Sequence, residues 1–169
     1  GSADVVGPLS IKSSGGPLSV TQTAGTVTSV AVETDLSGNV DINTVGSRVG
    51  TIFARNIGSG GSSDFTIRTG EVTAAYQNGA SIYVQLGLFD RITGRNLSVT
   101  TDGNVAGGIF MSMMGTGTVD LTTNAGVAGN IRVEATNQAS TGPFRVNLNQ
   151  DVTGDVSLYN AGTGTTTVQ

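Results

Sequence analysis

The sequence predicts an all-β protein folded as a right-handed parallel β-helix, a β-solenoid of about six to seven rungs. Three observations support this fold: an apolar template that repeats, a glycine that keeps its place in the repeat, and turn residues between short apolar runs. Gapless copies of the template start at Leu97, Val119 and Phe144, with apolar residues at offsets 0, 2, 8, 12 and 14. Alternation at 0/2 and 12/14 is typical of strands, and recurrence every 22 to 25 residues is typical of a solenoid.

Weaker copies of the template extend upstream. Copies start at Leu18 and Val40, where Thr26 and Arg48 hold offset 8 and a valine follows each of them. Phe65 opens a further unit, but its second half does not match the template. These six starting points predict a single β-solenoid domain over 1–169, and we interpret 1–6 as a lead-in and an expression scar.

Glycine supports the same register independently. Offset 10 is glycine in four of the six units, just before the second strand, at Gly50, Gly107, Gly129 and Gly154. A glycine fixed in a repeat predicts a corner that needs either positive φ or a close approach of backbone. Stacked rungs also predict ladders of like residues, apolar at offsets 0 and 12 and polar at offset 3. Right-handed winding is expected because parallel crossovers are right-handed in nearly all cases.

Composition excludes several classes of protein. The chain has 26 glycines, no cysteine, no histidine and 12% charged residues with a net charge of −4. Nucleic acid is a poor partner for a chain without a basic run, and no apolar run is long enough to span a membrane. Turn clusters every eight to twelve residues also suit a β-sandwich of the jelly-roll kind, which stays open as the alternative fold. A sandwich does not, however, predict constant spacing in successive units.

Catalysis and metal binding find little support. Without histidine or cysteine, the usual nucleophile–base pairs and histidine metal sites cannot form, so we expect no catalytic residue, cofactor or metal. Paired carboxylates remain as a route to glycoside hydrolysis, and the close acid pairs are Glu33/Asp35 and Asp151/Asp155. We interpret both as turn or outward-facing acids. The glycine-rich fragment 58–64 occurs once and lacks the repeated calcium-binding nonapeptide, which indicates a corner.

The long step between units marks one irregular rung. Successive starts are separated by 22, 25, 32, 22 and 25 residues, so about eight extra residues fall within 72–94. Insertions in solenoids often form the binding face, which makes this rung the candidate binding region. Its candidate binding residues are Tyr76, Tyr83, Phe89, Arg91 and Arg95. The alternative is structural: Ile82, Val84, Leu86 and Leu88 alternate as an extra strand packed on the rod.

The stretch 95–164 resembles the β-helical passenger regions of Gram-negative surface proteins, namely filamentous haemagglutinin-like two-partner secreted adhesins and autotransporters. The resemblance rests on repeat texture over roughly 16–168 and on four short motifs. These motifs are 97–100 (Leu-Ser-Val-Thr), 107–109 (Gly-Gly-Ile), 129–133 (Gly-Asn-Ile-Arg-Val) and 154–158 (Gly-Asp-Val-Ser-Leu). It implies a non-enzymatic structural or adhesive module at a bacterial surface or outside the cell. The other functional hypothesis is a carbohydrate-active β-helix enzyme or polysaccharide-binding module.

The two ends of the chain look like incomplete rungs. Leu9 and Ile11 resemble the second half of a rung, and residues 165–169 begin another. Open rungs expose strand edges that a solenoid must cover. We therefore expect either further rungs of a parent protein or copies of the chain stacked end to end into a fibre. Host or matrix carbohydrate is the other expected partner.

Overall fold

The computed structural model describes residues 5–14, 16–34, 38–56, 64–87 and 95–169, with residues 5 and 6 described by their backbone alone. These residues form thirteen β-strands and no helix, so no helix that could cross a membrane is found among them. The strands are β1 (Val5–Ser13), β2 (Leu18–Thr21), β3 (Thr26–Thr34), β4 (Val40–Asn56), β5 (Phe65–Val72), β6 (Ala80–Leu86), β7 (Leu97–Thr101), β8 (Gly108–Met113), β9 (Val119–Thr123), β10 (Ile131–Ala135), β11 (Phe144–Leu148), β12 (Val156–Asn160) and β13 (Thr166–Val168).

All strand pairs among the described residues are parallel, and each strand pairs with the neighbouring rung. The pairs form two continuous faces. The first face contains β2, the start of β4, β5, β7, β9, β11 and β13, and the second contains β1, β3, the end of β4, β6, β8, β10 and β12. Parallel stacking of about six rungs confirms the β-solenoid and excludes the sandwich, whose sheets are antiparallel.

The apolar template fills the inside of the rod. The two predicted ladders are in register and almost fully buried in the middle rungs because their side chains point inward from strands of period 2. The first face stacks Leu18, Val40, Phe65, Leu97, Val119 and Phe144. The second face stacks Leu9, Val30, Ile52, Ile82, Ile109, Ile131 and Val156.

A third apolar ladder consists of valines between the two faces. It joins Val27, Val49, Val72, Val105, Val127 and Val152 by parallel bridges. In the two upstream rungs the buried residues are Val27 and Val49, whereas Thr26 and Arg48 at offset 8 face solvent. The upstream copies thus reach the same inward site one residue later than the template does.

The irregular rung keeps the register of its neighbours. In β6, Ile82 pairs with Ile52 of the rung before and Ile109 of the rung after, so the missing second half of this unit is present. The predicted strand is confirmed, but the idea that it is an extra one is wrong. Ile82 follows Val72 by ten positions, whereas Ile109 follows Val105 by four, so inserted residues at 73–79 hide the register in the sequence. Leu88 lies outside the described residues.

The repeated glycine at offset 10 is required by close backbone approach rather than by positive φ. None of the four glycines is among the residues with positive φ. A Cβ at Gly50 would collide with the carbonyl of Thr28, and one at Gly129 would collide with the backbone of Gly107 and Gly108. The corner therefore brings successive rungs too close together for any side chain.

Polar side chains connect successive rungs at the corners. Asn39 Oδ1 accepts a hydrogen bond from the Asp64 amide at 3.2 Å, Asp64 Oδ1 accepts from the Asn96 amide at 2.9 Å, and Asn96 Oδ1 accepts from the Thr118 amide at 2.8 Å. Each side chain thus satisfies a backbone donor one rung later. The predicted polar ladder at offset 3 is also in register: Thr21, Asn43, Arg68, Thr100, Thr122 and Asn147.

Candidate functional site

The second face carries an outward row of aromatic rings. Phe53, Tyr83 and Phe110 each follow the buried isoleucine of their strand, so the parallel register places them directly above one another. The ring centroids lie 5.2 Å apart for Phe53 and Tyr83 and 4.8 Å apart for Tyr83 and Phe110, with interplanar angles of 9° and 20°. These three residues, the aromatic stripe, stack along the rod and point their ring edges toward solvent.

Arginines lie over both ends of the aromatic stripe. The guanidinium carbon of Arg55 lies 5.4 Å from the centroid of Phe53, and that of Arg132 lies 5.8 Å from the centroid of Phe110. Each arginine also binds a carboxylate: Arg55 Nε donates to Glu33 at 2.7 Å, and Arg132 Nε donates to Glu134 at 2.6 Å. The hydrogen bond from Arg55, with further attraction to Arg55 and Lys12, lowers the pKa of Glu33 below its ordinary value.

The insertion at 73–79 leaves the rod beside the stripe and is pinned to it. The buried Ser81 hydroxyl donates to the Ala74 carbonyl at 2.5 Å and accepts from the Gly107 amide at 2.7 Å. Tyr76 lies edge-on to Phe53, with ring centroids 6.3 Å apart at 78°. The loop therefore adds a fourth ring whose plane is perpendicular to the stacked rings, and a shallow cleft forms between this ring and Tyr83.

A groove of about 530 Å³ lies on the other side of the loop. Its floor is glycine backbone from three rungs, at Gly79, Gly108 and Gly129. We call it the glycine-floored groove, and its other lining residues are Asn78, Ala80, Tyr83, Ile109, Phe110, Asn130 and Arg132. The groove thus combines two amides, one arginine and two aromatic edges around a floor that carries no side chains.

The predicted binding residues fall in different places. Tyr76 and Tyr83 come together on the second face, around the shallow cleft. Arg95 lies just before β7 on the first face, next to Gly115 and Gly117, and its side chain is fully buried. Burial lowers the pKa of Arg95, because the charged guanidinium is removed from water. Phe89 and Arg91 lie outside the described residues.

The sequence interpretation missed Phe53, Phe110, Asn130 and Arg132. They stand in three different units, with Asn130 and Arg132 in the same one, so only the register of β4, β6, β8 and β10 brings them together. The signal available in the sequence was the glycine pair 107–108, shortly before Phe110, and Gly129, directly before Asn130. These glycines could be recognised as part of a site only once the pairing of β6 was known, and the insertion hides that pairing in the sequence.

The carboxylates near arginines are held in ion pairs. Arg48 Nε lies 2.8 Å from Glu71, and Arg68 Nε donates to Asp102 at 2.8 Å. The hydrogen bond from Asn124 and that from Arg68 lower the pKa of Asp102 below its ordinary value. Among the described residues, no group of three or more histidine, cysteine or acidic residues could hold a metal ion.

Of the acids considered for glycoside hydrolysis, Asp151 lines a groove of about 450 Å³ together with Glu71, but Arg48 binds the Glu71 carboxylate. Asp151 and Asp155 are exposed, and their backbone carbonyls accept hydrogen bonds from the amides of Val127 and Ile131 at 3.0 Å and 2.8 Å. Glu33 is bound by Arg55, and Asp35 lies outside the described residues. Of the fragment 58–64, only Asp64 is described, and it binds Asn96.

No protein-family model, curated protein or solved structure matches this chain.

Proposed function

We propose that the chain is a non-enzymatic structural and adhesive module of a bacterial extracellular or cell-surface protein. The observation that carries the proposal is the common register of outward positions on the second face. Because β6 pairs in register with β4 and β8 from Ile82 onward, outward side chains of the described rungs form stripes along the rod. A rigid surface with regularly spaced groups suits attachment to an extended partner, since little conformational freedom is lost on binding.

The chemistry of the surface also supports a binding role over catalysis. The second face presents aromatic rings, amides and arginine together, groups that bind ligands without reacting with them. A glycosidase would need two carboxyl groups facing one bond across a cleft. Glu33, Glu71 and Asp102 instead neutralise arginines beside them. The resemblance of the repeats to passenger regions of surface adhesins supports the bacterial extracellular location.

Bead adhesion tests this proposal directly. Fluorescent beads coated with the chain are placed on surfaces bearing extracellular-matrix or bacterial polysaccharides, beside beads coated with serum albumin. We expect retention of the chain-coated beads at several times the level of the control. The same polysaccharides are incubated with soluble chain and assayed for new reducing ends. Retention equal to the albumin control would overturn the adhesive role, and release of reducing ends would favour a carbohydrate-active enzyme.

We also propose that partner strands pair with the last described rung. Among the described strands, β12 pairs with β10 alone and β13 with β11 alone, and Val156 and Val168 are 42% and 53% exposed. Further rungs of a parent protein or copies of this chain would continue both faces. Size-exclusion chromatography with negative-stain microscopy distinguishes the two: fibres indicate stacking of copies, whereas monodisperse monomers contradict it.

A further inference from the structure

The glycine-floored groove is a rigid recess in the second face. A Cβ at Gly108 would collide with the backbone of Asn130, and one at Gly129 would collide with the backbone of Gly107 and Gly108. The floor is held by hydrogen bonds between rungs, from the Gly108 amide to the Gly79 carbonyl at 2.8 Å and from the Gly129 amide to the Gly107 carbonyl at 3.1 Å. The recess is therefore preformed, and a ligand would not need to reorganise it.

Two amide side chains present donors at the groove. Asn78 Oδ1 accepts a hydrogen bond from the Ala80 amide at 3.1 Å, and Asn130 Oδ1 accepts one from the Asp155 amide at 2.9 Å. Because the backbone donors fix the oxygen of each side chain, the NH₂ group must occupy the other position. Both asparagines are exposed and line the groove, so their NH₂ groups can donate to a ligand.

The charged groups at the groove cancel one another. Arg132 is the one charged side chain among the lining residues, and Glu134 binds its guanidinium. A second carboxylate brought to Arg132 would also lie near Glu134 and would be repelled by it. The site thus favours a neutral ligand, and the net charge of −4 adds to the repulsion of polyanions.

The aromatic groups at the groove offer ring edges. Tyr83 and Phe110 stack on each other, so these two rings point edges toward the recess. Ring edges carry positive partial charge and attract oxygen atoms, whereas ring faces attract C–H groups and cations. The groove therefore selects a ligand rich in acceptor oxygens, because its ring edges, its amide donors and its guanidinium all attract such atoms.

We propose that the glycine-floored groove binds a neutral oligosaccharide segment, whose hydroxyl oxygens accept hydrogen bonds from Asn78, Asn130 and Arg132. This inference rests on the proposed adhesive function and assigns it a ligand class and a site. Hydroxyl groups match both the donors and the ring edges without bringing a charge near Glu134. The groove crosses three rungs, so it accommodates a sugar chain running along the rod.

Affinity electrophoresis tests the ligand class. The chain is run in native gels containing dextran, mannan, galactan or xyloglucan, and in gels containing the acidic polymers alginate or polygalacturonate. We expect at least one neutral polymer to retard the chain and neither acidic polymer to do so. Retardation by the acidic polymers alone, or by none of the six, overturns the inference.

Two matched pairs of variants test the site. Asn130→Asp keeps the oxygen that binds the Asp155 amide and removes the NH₂ donor. Asn104→Asp is its control outside the groove: it keeps the oxygen that binds the Gly126 amide and removes an NH₂ donor that does not line the groove. Arg132→Ala and Arg55→Ala each remove an arginine bound to a glutamate and a phenylalanine ring, but Arg55 does not line the groove. We expect the groove variants to bind about tenfold more weakly than their controls.

The outcomes separate this inference from the proposed function. Weakening confined to Asn130→Asp and Arg132→Ala supports the groove, and circular dichroism confirms that each variant folds. If Asn130→Asp fails to fold, the Arg132 and Arg55 pair decides alone. Beads that adhere equally well with wild-type chain and Arg132→Ala overturn the groove but leave the adhesive module standing. Beads that do not adhere at all, while a neutral polymer still retards the chain through Arg132, overturn the adhesive function and retain the groove.

Discussion

The two faces of the rod have the same interior and different exteriors. Both bury apolar ladders at equivalent positions, with Leu97 on the first face matched by Ile109 on the second. Outside, the first face is polar, with Ser98, Thr100 and their ladder neighbours in register. The second face carries the aromatic stripe, two arginines and the glycine-floored groove. The inward positions are therefore fixed by the fold, whereas the outward positions are free to differ, and binding groups are concentrated on one side.

The largest expected effect comes from the shared interior. Leu97→Ala and Ile109→Ala each remove a fully buried side chain from one face, so each should lower the free energy of unfolding by about 2–5 kcal/mol. Chemical denaturation followed by far-ultraviolet circular dichroism measures both. Losses of similar size support equivalent faces. A loss below about 1 kcal/mol for either variant would show that its face contributes little to the core.

The aromatic stripe should make outward residues of the second face contribute more to stability than those of the first face. Tyr83→Ala removes the middle ring and breaks both stacked pairs, which should cost about 1–3 kcal/mol in the free energy of unfolding. Ser98→Ala, at the corresponding outward position of the first face, should change it by less than about 0.5 kcal/mol.

Tyr83→Phe is the control for this comparison. It keeps both stacked pairs and removes only the hydroxyl that donates to Gln85 at 3.2 Å. Its stability in the same denaturation experiment should stay close to that of the wild type. Equal losses for Tyr83→Ala and Ser98→Ala would contradict a stabilising stripe.

Inward positions could be predicted from the sequence because the core imposes the same demand on every rung. The template at Leu97, Val119 and Phe144 marks strands that the structure pairs in register. The rung that starts at Phe65 escaped the template because the inserted residues lengthen one corner while Ile82 still pairs with Ile52. A sequence template counts residues along the chain, whereas the fold keeps the pairing of strands between rungs. One insertion therefore shifts the count and hides a strand that is paired regularly.

Outward positions were harder to predict because no core constrains them. Tyr76 and Tyr83 stood out as two of the three tyrosines, both within the irregular rung. Phe53 and Phe110 looked like isolated aromatics, and only the register makes them neighbours of Tyr83. The corner asparagines were equally inconspicuous, since Asn96 and Asn130 act on the backbone of the next rung.

The corner hydrogen bonds should have a smaller effect than the stripe. Asn96→Ala removes the acceptor of the Thr118 amide and the donor to Asp64, on the side of the first face. We expect a loss of about 1 kcal/mol in the free energy of unfolding, because the exposed Thr118 amide can bind water instead. Asn104→Ala removes the equivalent acceptor of the Gly126 amide and should behave alike. A change of several kcal/mol in either variant would show that the corners hold the rungs together.

The smallest expected difference between the two faces is in their stability at low pH. Glu33 on the second face and Asp102 beside the first have pKa values lowered from the ordinary 4.5 and 3.8. A depressed folded-state pKa contributes stability that is complete above the unfolded pKa and is lost as pH falls through the folded value. The melting temperature of the wild type should therefore decline below about pH 4.5, and Glu33→Gln and Asp102→Asn should each flatten part of that decline. Melting curves at successive pH values between about 6 and about 3 measure the effect. Parallel curves for wild type and both variants would mean that neither ion pair contributes stability in the folded rod.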